Sequence, residues 1–301
     1  MPKNPLKILV LNSKALKLSI DDLKAGTTVP VEWTIADLSN KDQVRKLLPD
    51  FDILVSTSLD ISWKNEAKSI KAIFMPGAGW DKISPEAVPD GCVVTNSYEH
   101  ESAIAEYVLM SMIALDRDLI NAHNTFAKND WDYWPQRFGP FKELSNRNVL
   151  VIGAGRIGKK VLELTSAFNM NNYAIEEFDI DSKTKLKLNL KMVEKPKNMS
   201  SLISIADFVV ICVPYIKSTK GMIGEKELYA MKNDSFIINP ARGPIIQEKH
   251  LYYALKSNRI AGACLDTWYK YPNSSSCLLY TSPSPRDQRG SRMPACGWKK
   301  K

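Results

Sequence analysis

Asn148-Val149-Leu150-Val151-Ile152-Gly153-Ala154-Gly155-Arg156-Ile157-Gly158 is the stretch that decides the fold. Its first five residues form a short β-branched run, the signature of a buried strand. The strand runs directly into a G-x-G-x-x-G. An amphipathic helix follows, with Ile157, Val161, Leu164 and Phe168 spaced along one face. A second apolar run, Tyr173 to Phe178, ends in Asp179, 21 residues beyond Gly158. Strand, glycines, helix, strand and acid in this order form a dinucleotide-binding unit. Gly153 permits the tight turn, Gly155 lets the backbone approach a pyrophosphate, and Gly158 lets helix and strand pack closely. Arg156 and Ile157 open the helix, whose N–H groups and positive dipole end suit phosphate.

The bulk numbers narrow the class. A chain of 301 residues suggests about two domains, and 44% hydrophobic residues suffice for a core. No apolar run reaches the ~20 residues that span a bilayer. The start, Met1 to Val10, moves into a strand without the apolar core of a signal peptide. Cysteines at 92, 212, 264, 277 and 296 show neither C-x-x-C spacing nor pairing logic, so a reduced, cytoplasmic protein without a metal site is expected. The net charge of +8 is concentrated at the end of the chain. Residues 277–301 hold six cationic side chains against Asp287 alone, and charges elsewhere alternate in sign. That pattern argues against a nucleic-acid partner.

Residues 277–301 also lack periodicity. Cys277 to Asp287 back-translates into a codon run that looks like an adapter of transposase-based sequencing libraries, and Ser291 to Pro294 fits its distal end. The expectation is a non-native tail over 273–301, with the natural chain continuing beyond Ser276.

Working outward, the first hundred residues alternate strand and helix signals. Strands are predicted at Leu6–Leu11, Val31–Ile35, Ile53–Ser56, Ala72–Phe74 and Val93–Thr95, with helices at Lys41–Leu48 and Trp63–Lys68. Such alternation favours a parallel sheet covered on both faces. Glu101 to Arg117 reads as a long apolar helix leading from one domain into the next. Asn129 to Leu144 is aromatic and irregular. After the glycine unit, Asp181 to Ser200 reads as solvated helix and loop. Strands are predicted at Asp207–Val213 and Phe236–Asn239, a helix at Gln247–Ser257, and a last strand at Ala261–Asp266.

Several motifs now stand in order: Pro76-Gly77-Ala78-Gly79-Trp80-Asp81, Val93 to Asn96, Ala105-Glu106, Gly153 to Gly158, Val213-Pro214 with Thr219, Asn239 to Gly243, and Gly262 to Asp266. Over about residues 5 to 272 the chain resembles the D-isomer-specific 2-hydroxyacid dehydrogenases. The resemblance implies two doubly wound parallel-sheet domains. A Rossmann NAD-binding domain (101–272) is inserted in a flavodoxin-like substrate domain (1–100 plus a C-terminal part). It implies NAD as cofactor, a small 2-hydroxy or 2-keto acid as substrate, and a homodimer.

The resemblance also distributes roles. Arg242 is expected to hold the substrate carboxylate and polarise the carbonyl, since its guanidinium is always charged and forked. Backbone N–H groups of Ala78 and Gly79 are expected to help hold that carboxylate. Asp179 is expected on the adenosine ribose, where its charge would disfavour a 2′-phosphate; Glu176 and Asp181 remain rivals, because the Asn171-Asn172 region reads slightly long. Val213, Pro214 and Thr219 are expected on the adenine and ribose side, and Ala241 and Asp266 near the nicotinamide. The family's acid/base histidine and supporting glutamate find no match. Tyr271 precedes Pro272 where the glutamate belongs, and His100, His123 and His250 sit elsewhere. The chain as written is therefore expected to lack turnover. A competing reading is a dinucleotide-sensing, corepressor-like protein of the same fold without dehydrogenase activity.

Overall fold

The computed structural model describes residues 5–12, 18–133 and 142–270. Tyr271, the tail at 273–301 and most of the irregular segment after Tyr133 lie outside them. The contacts divide the chain into two compact units, Met1–Glu99 and His100–Lys301. Glu99, the last residue of the first, has a φ of 77°, a left-handed value that is uncommon outside glycine.

The first unit is a five-stranded parallel sheet: β1 (Leu6–Asn12), β2 (Val31–Asp37), β3 (Ile53–Val55), β4 (Ala72–Met75) and β5 (Val93–Asn96), in the order β2-β1-β3-β4-β5. This is a doubly wound order of the flavodoxin type. Alternate residues of the strands, Leu9, Leu11, Leu54, Ile73 and Met75, enter one core with Val44, Leu48 and Trp63. Helix α1 (Ile20–Ala25) is capped by Ser19. Helix α2 (Lys41–Leu47) is capped by Asn40, whose side chain accepts from the Gln43 N–H at 3.2 Å. The expected helix at Trp63–Lys68 is instead two 3-10 turns, Ile61–Trp63 and Glu66–Ser69. Trp63 and Ala67 are both buried, and two tight turns achieve this burial without a continuous α-helix.

The second unit is a six-stranded parallel sheet in the order β11-β10-β9-β6-β7-β8. Its strands are β6 (Asn148–Ile152), β7 (Asn171–Ile175), β8 (Leu190–Glu194), β9 (Phe208–Ile211), β10 (Phe236–Asn239) and β11 (Gly262–Leu265). The order reverses between β6 and β9, which is the Rossmann switch point. The central strands are nearly continuous apolar runs, with polar residues only at their ends (Asn148, Asn239), because both faces are covered. Val149, Val151, Phe208, Val210 and Ile238 face α3 (Glu101–Asp116) and α5 (Arg156–Ala167). Leu150, Ile152, Val209, Ile211 and Ile237 face α7 (Met199–Ile203), α8 (Glu225–Ala230) and α9 (Glu248–Lys256). Among the described residues the unit also has the short helices α4 (Leu119–Phe126) and α6 (Ser182–Lys187).

Three expectations shift. The segment read as helix and loop at 181–200 contains α6 and also the edge strand β8, whose pairing with β7 its Lys-rich composition concealed. The buried stripe of α5 is Gly158, Val161, Leu162 and Thr165, and Phe168 is 43% exposed. Strand β7 begins at Asn171 and stops at Ile175, not Phe178. Asn172 is fully buried there, donating to Leu162 O at 2.8 Å and Leu188 O at 2.7 Å and accepting from Thr165 Oγ1 at 2.8 Å. Every strong polar group of that side chain is engaged, so a residue type disfavoured in strands is accommodated.

Candidate functional site

The carboxyl ends of β6, β7, β9, β10 and β11 carry the candidate residues of the second unit. After β6, Gly153 has φ 95°, and a Cβ there would lie 2.8 Å from Val213 Cγ1 and 2.9 Å from Val213 N. Only glycine fits both the conformation and the space. A Cβ on Gly158 would lie 2.0 Å from Gly153 O, so this glycine sets the approach of α5 to the strand. Gly155 differs: a Cβ there meets nothing within 4 Å. Its bareness serves no internal packing, as suits a surface where a pyrophosphate approaches the backbone. Gly155 is also the N-cap of α5, whose first turn has no side-chain cap. The N–H donors of this turn are the ones a phosphate takes. Arg156 is exposed and Ile157 half-buried at the same turn.

The three rival acids after β7, Glu176, Asp179 and Asp181, occupy different situations. Asp181 caps α6, accepting from the Thr184 N–H at 2.9 Å and Thr184 Oγ1 at 2.6 Å. Asp179 has a side chain 97% exposed and pairs with Lys195 Nζ at 2.7 Å. The lysine's hydrogen bond holds its carboxyl below the usual carboxylate range. Glu176 stands directly at the end of β7. Its Oε2 accepts from the Ala154 N–H of the glycine turn at 2.7 Å, and its Oε1 from the Phe178 N–H at 3.3 Å. The acid adjoining the glycine turn is therefore Glu176. Asp179 was expected there because the apolar run was read as the strand, and the strand ends three residues earlier.

After β9, Val213 is half-buried against Gly153. The hydroxyl of Thr219 donates to Pro214 O at 2.6 Å and accepts from the Ile216 N–H at 2.9 Å. Thr219 thus folds the Pro214–Thr219 loop upon itself. Burial pushes the thiol of Cys212, at the end of the same strand, up to about 12, which disfavours its thiolate.

After β10, buried Asn239 organises the turn that bears Arg242. Its Oδ1 accepts from the Ala241 N–H at 3.1 Å and its Nδ2 donates to Arg242 O at 2.9 Å. Its carbonyl accepts from the Asp266 N–H at 3.1 Å. Asn239 was not singled out in the sequence, although a buried amide closing an apolar strand was the signal. Arg242 is half-buried, and its Nη1 donates to Ala241 O at 2.8 Å. A Cβ on Gly243 would lie 2.6 Å from the Trp268 carbonyl carbon, so the turn is packed against the segment leaving β11. At that segment, desolvation pushes the Asp266 carboxyl up.

In the first unit, Ala78 and Gly79 follow β4. Ala78 O accepts from Asn96 Nδ2 at 2.9 Å. Neither the Ala78 nor the Gly79 N–H meets an acceptor among the described residues. Of the histidines, His100 is the N-cap residue of α3, His123 lies on α4, and His250 lies on α9 beside a surface hollow of about 450 Å³ shared with Glu225, Tyr229 and Tyr253. None is on the sheet edge that holds Arg242. No cluster of metal-ligating side chains exists among the described residues.

Fold and edge together define a dinucleotide-binding α/β protein of the Rossmann type. Residues 109–285 match the D-isomer specific 2-hydroxyacid dehydrogenase, NAD binding domain. The chain belongs to this family, and its second unit carries the NAD-binding domain. It is 31% identical over 253 residues to D-3-phosphoglycerate dehydrogenase of Methanocaldococcus jannaschii, covering 82% of this chain and 47% of that one. It is 30% identical over 244 residues to glyoxylate reductase of Thermofilum pendens, covering 80% and 69%. Among solved structures, an acyclic imino acid reductase in complex with NADPH and D-Arg superposes with a TM-score of 0.76 at 25% identity, covering 88% of this chain and 84% of that one. The chain spans about half the length of the phosphoglycerate dehydrogenases of Methanocaldococcus jannaschii and Archaeoglobus fulgidus.

Proposed function

We propose that the protein is an oxidoreductase moving a hydride between NAD(H) and a D-2-hydroxy acid or its 2-keto counterpart. The observation that carries this reading is the placement of the glycine turn and Arg242 at the carboxyl edge of one parallel sheet, where open α/β sheets take their ligands. NAD, when bound, supplies the hydride acceptor or donor. Gly153, Gly155, Arg156, Ile157 and Gly158 serve the pyrophosphate. Glu176, in place of Asp179, takes the ribose hydroxyls. Val213, Pro214 and Thr219 flank the adenosine, and Ala241 and Asp266 the nicotinamide. Arg242 holds the carboxylate of the acid and polarises its carbonyl. In the first unit by itself, the Ala78 and Gly79 N–H groups are candidate carboxylate donors.

The finer assignments follow the same reading. A homodimer through the NAD-binding domain is supported by Met110, Ile113, Leu119, Phe126 and Trp131, large apolar residues exposed on and after α3 and α4. A cytoplasmic location is supported by the free cysteines at 92, 212 and 264; no helix among the described residues is long and apolar enough to cross a membrane.

The test begins with NADH fluorescence titration of the folded chain, where saturable binding is expected and its absence sinks the proposal. NADH oxidation is then assayed with a panel of 2-keto acids, using the product of the complete gene. Arg242→Ala is expected to abolish turnover and keep NADH binding. Turnover that survives this substitution removes Arg242 from its role.

A further inference from the structure

We propose that Lys195 is a masked 2′-phosphate ligand, silenced by Asp179, and that this pair acts with Glu176 to set the preference for NAD over NADP. The inference rests on the reading that the glycine turn binds a dinucleotide with its ribose at Glu176. Parallel pairing puts Ile175 opposite Glu194, and the Glu176 N–H donates to Glu194 O at 3.0 Å. Glu176 and Lys195 therefore leave the sheet side by side, from the ends of adjacent strands.

Lys195 is turned toward the ribose acid's own loop. Its Nζ donates to Glu177 O at 2.8 Å and to Asp179 Oδ1 at 2.7 Å. A lysine ammonium beside the ribose is the chemistry that a 2′-phosphate needs, because that group carries close to two negative charges and strong acceptor oxygens. Here the ammonium is already committed. Asp179 cancels its charge and takes a donor, and Glu176 adds a carboxylate beside it, so these three side chains together carry net negative charge. This also gives Asp179 a role its exposure would not suggest: it acts on the lysine and touches no hydroxyl. Glu176 alone repels the phosphate; Asp179 removes the cation that would otherwise compensate.

The experiment compares dissociation constants for NADH and NADPH, read by nicotinamide fluorescence, across Glu176→Gln, Asp179→Asn, the double variant, and the double variant carrying Lys195→Met. Asp179 and Lys195 are surface residues, and thermal melts check that each variant folds. Asp179→Asn is expected to move the NADPH/NADH affinity ratio about three- to fivefold toward NADPH, the size of an exposed charge interaction. The double variant is expected to move it at least about tenfold, a gain that Lys195→Met erases and that shrinks with added salt. Competition by 2′,5′-ADP against 5′-AMP should follow the same order, without any contribution from turnover. The proposal is overturned if the double variant gains no more than Glu176→Gln alone, or if the gain survives Lys195→Met. A chain that binds neither dinucleotide overturns the underlying reading too; one that binds NADH normally but shows no Lys195 dependence overturns this inference alone.

Discussion

The two edges of the six-stranded sheet are built on opposite terms. At the amino edge, polar groups are spent on one another. Asp207 accepts from the Asn148 N–H at 2.8 Å, pairs with Lys232, and lies 3.8 Å from Arg147 Nε. Arg147 also pairs with Asp116 at the end of α3 and stacks its guanidinium 4.5 Å from the centre of the Phe208 ring. The Asp116, Arg147 and Asp207 side chains are each no more than 12% exposed. At the carboxyl edge, the turns are closed by backbone, by glycines and by the Glu176, Thr219 and Asn239 side chains bonded to backbone, and Gly155 and Arg156 are exposed. The difference teaches that one sheet divides its labour. Its amino edge stabilises the unit, and its carboxyl edge keeps donors in reserve for a ligand.

The comparison breaks most visibly at Asp207. Replacing it by Ala takes the acceptor from the Asn148 N–H and one carboxylate partner each from Arg147 and Lys232, which keep Asp116 and Asp234, and about 2–3 kcal/mol of stability should be lost. Urea denaturation reads this loss, and NADH affinity of the fraction that stays folded should hold. If affinity collapses while the urea midpoint stays put, the division of labour between the edges is wrong.

Two glycines sharpen it. Gly158→Ala drives a Cβ into the Gly153 carbonyl, a backbone atom that cannot swing aside. It should cost about 1–3 kcal/mol in thermal or urea melts and weaken NADH as well. Gly155→Ala meets empty space, so its melt should match the parent. Its NADH dissociation constant should rise about tenfold or more, because the methyl stands where the pyrophosphate approaches. Equal behaviour of the two variants in both assays would erase the distinction between packing and binding glycines.

The smallest expected effect is at high pH. The hydrogen bond to Asp207 holds the Lys232 ammonium above its ordinary 10.5. A raised folded value means that the pair's contribution is complete below pH 10.5 and fades as pH climbs through that higher value. Urea midpoints should therefore drop more between about pH 9 and about pH 11.5 in the parent than in Lys232→Met, whose side chain cannot titrate.

The strand–glycine–helix unit and the alternating elements were legible because they rest on local chemistry. Periodicity, β-branching and the glycine spacing act within a few residues. The position of Arg242, three residues beyond a buried strand, was legible too. What escaped was settled by distant partners. The Asn171-Asn172 region read as slightly long, because the groups that satisfy Asn172 within the strand, Leu162, Leu188 and Thr165, lie elsewhere in the chain. Strand β8 read as a solvated loop because its stability comes from β7. Once β7 starts early, it ends early, and the acid beside the glycine turn becomes Glu176.

By itself the sequence determined that this chain builds two parallel α/β layers, and that one of them presents glycines and a helix start to a dinucleotide. Hydrophobic period and backbone permissiveness are written residue by residue, so no neighbour is needed to read them. Only the tertiary structure decided which carboxylate adjoins the glycine turn, which lysine leaves the neighbouring strand beside it, and which glycine packs and which lies open. Those outcomes depend on register and on hydrogen bonds between residues far apart in the chain, where one pairing excludes another.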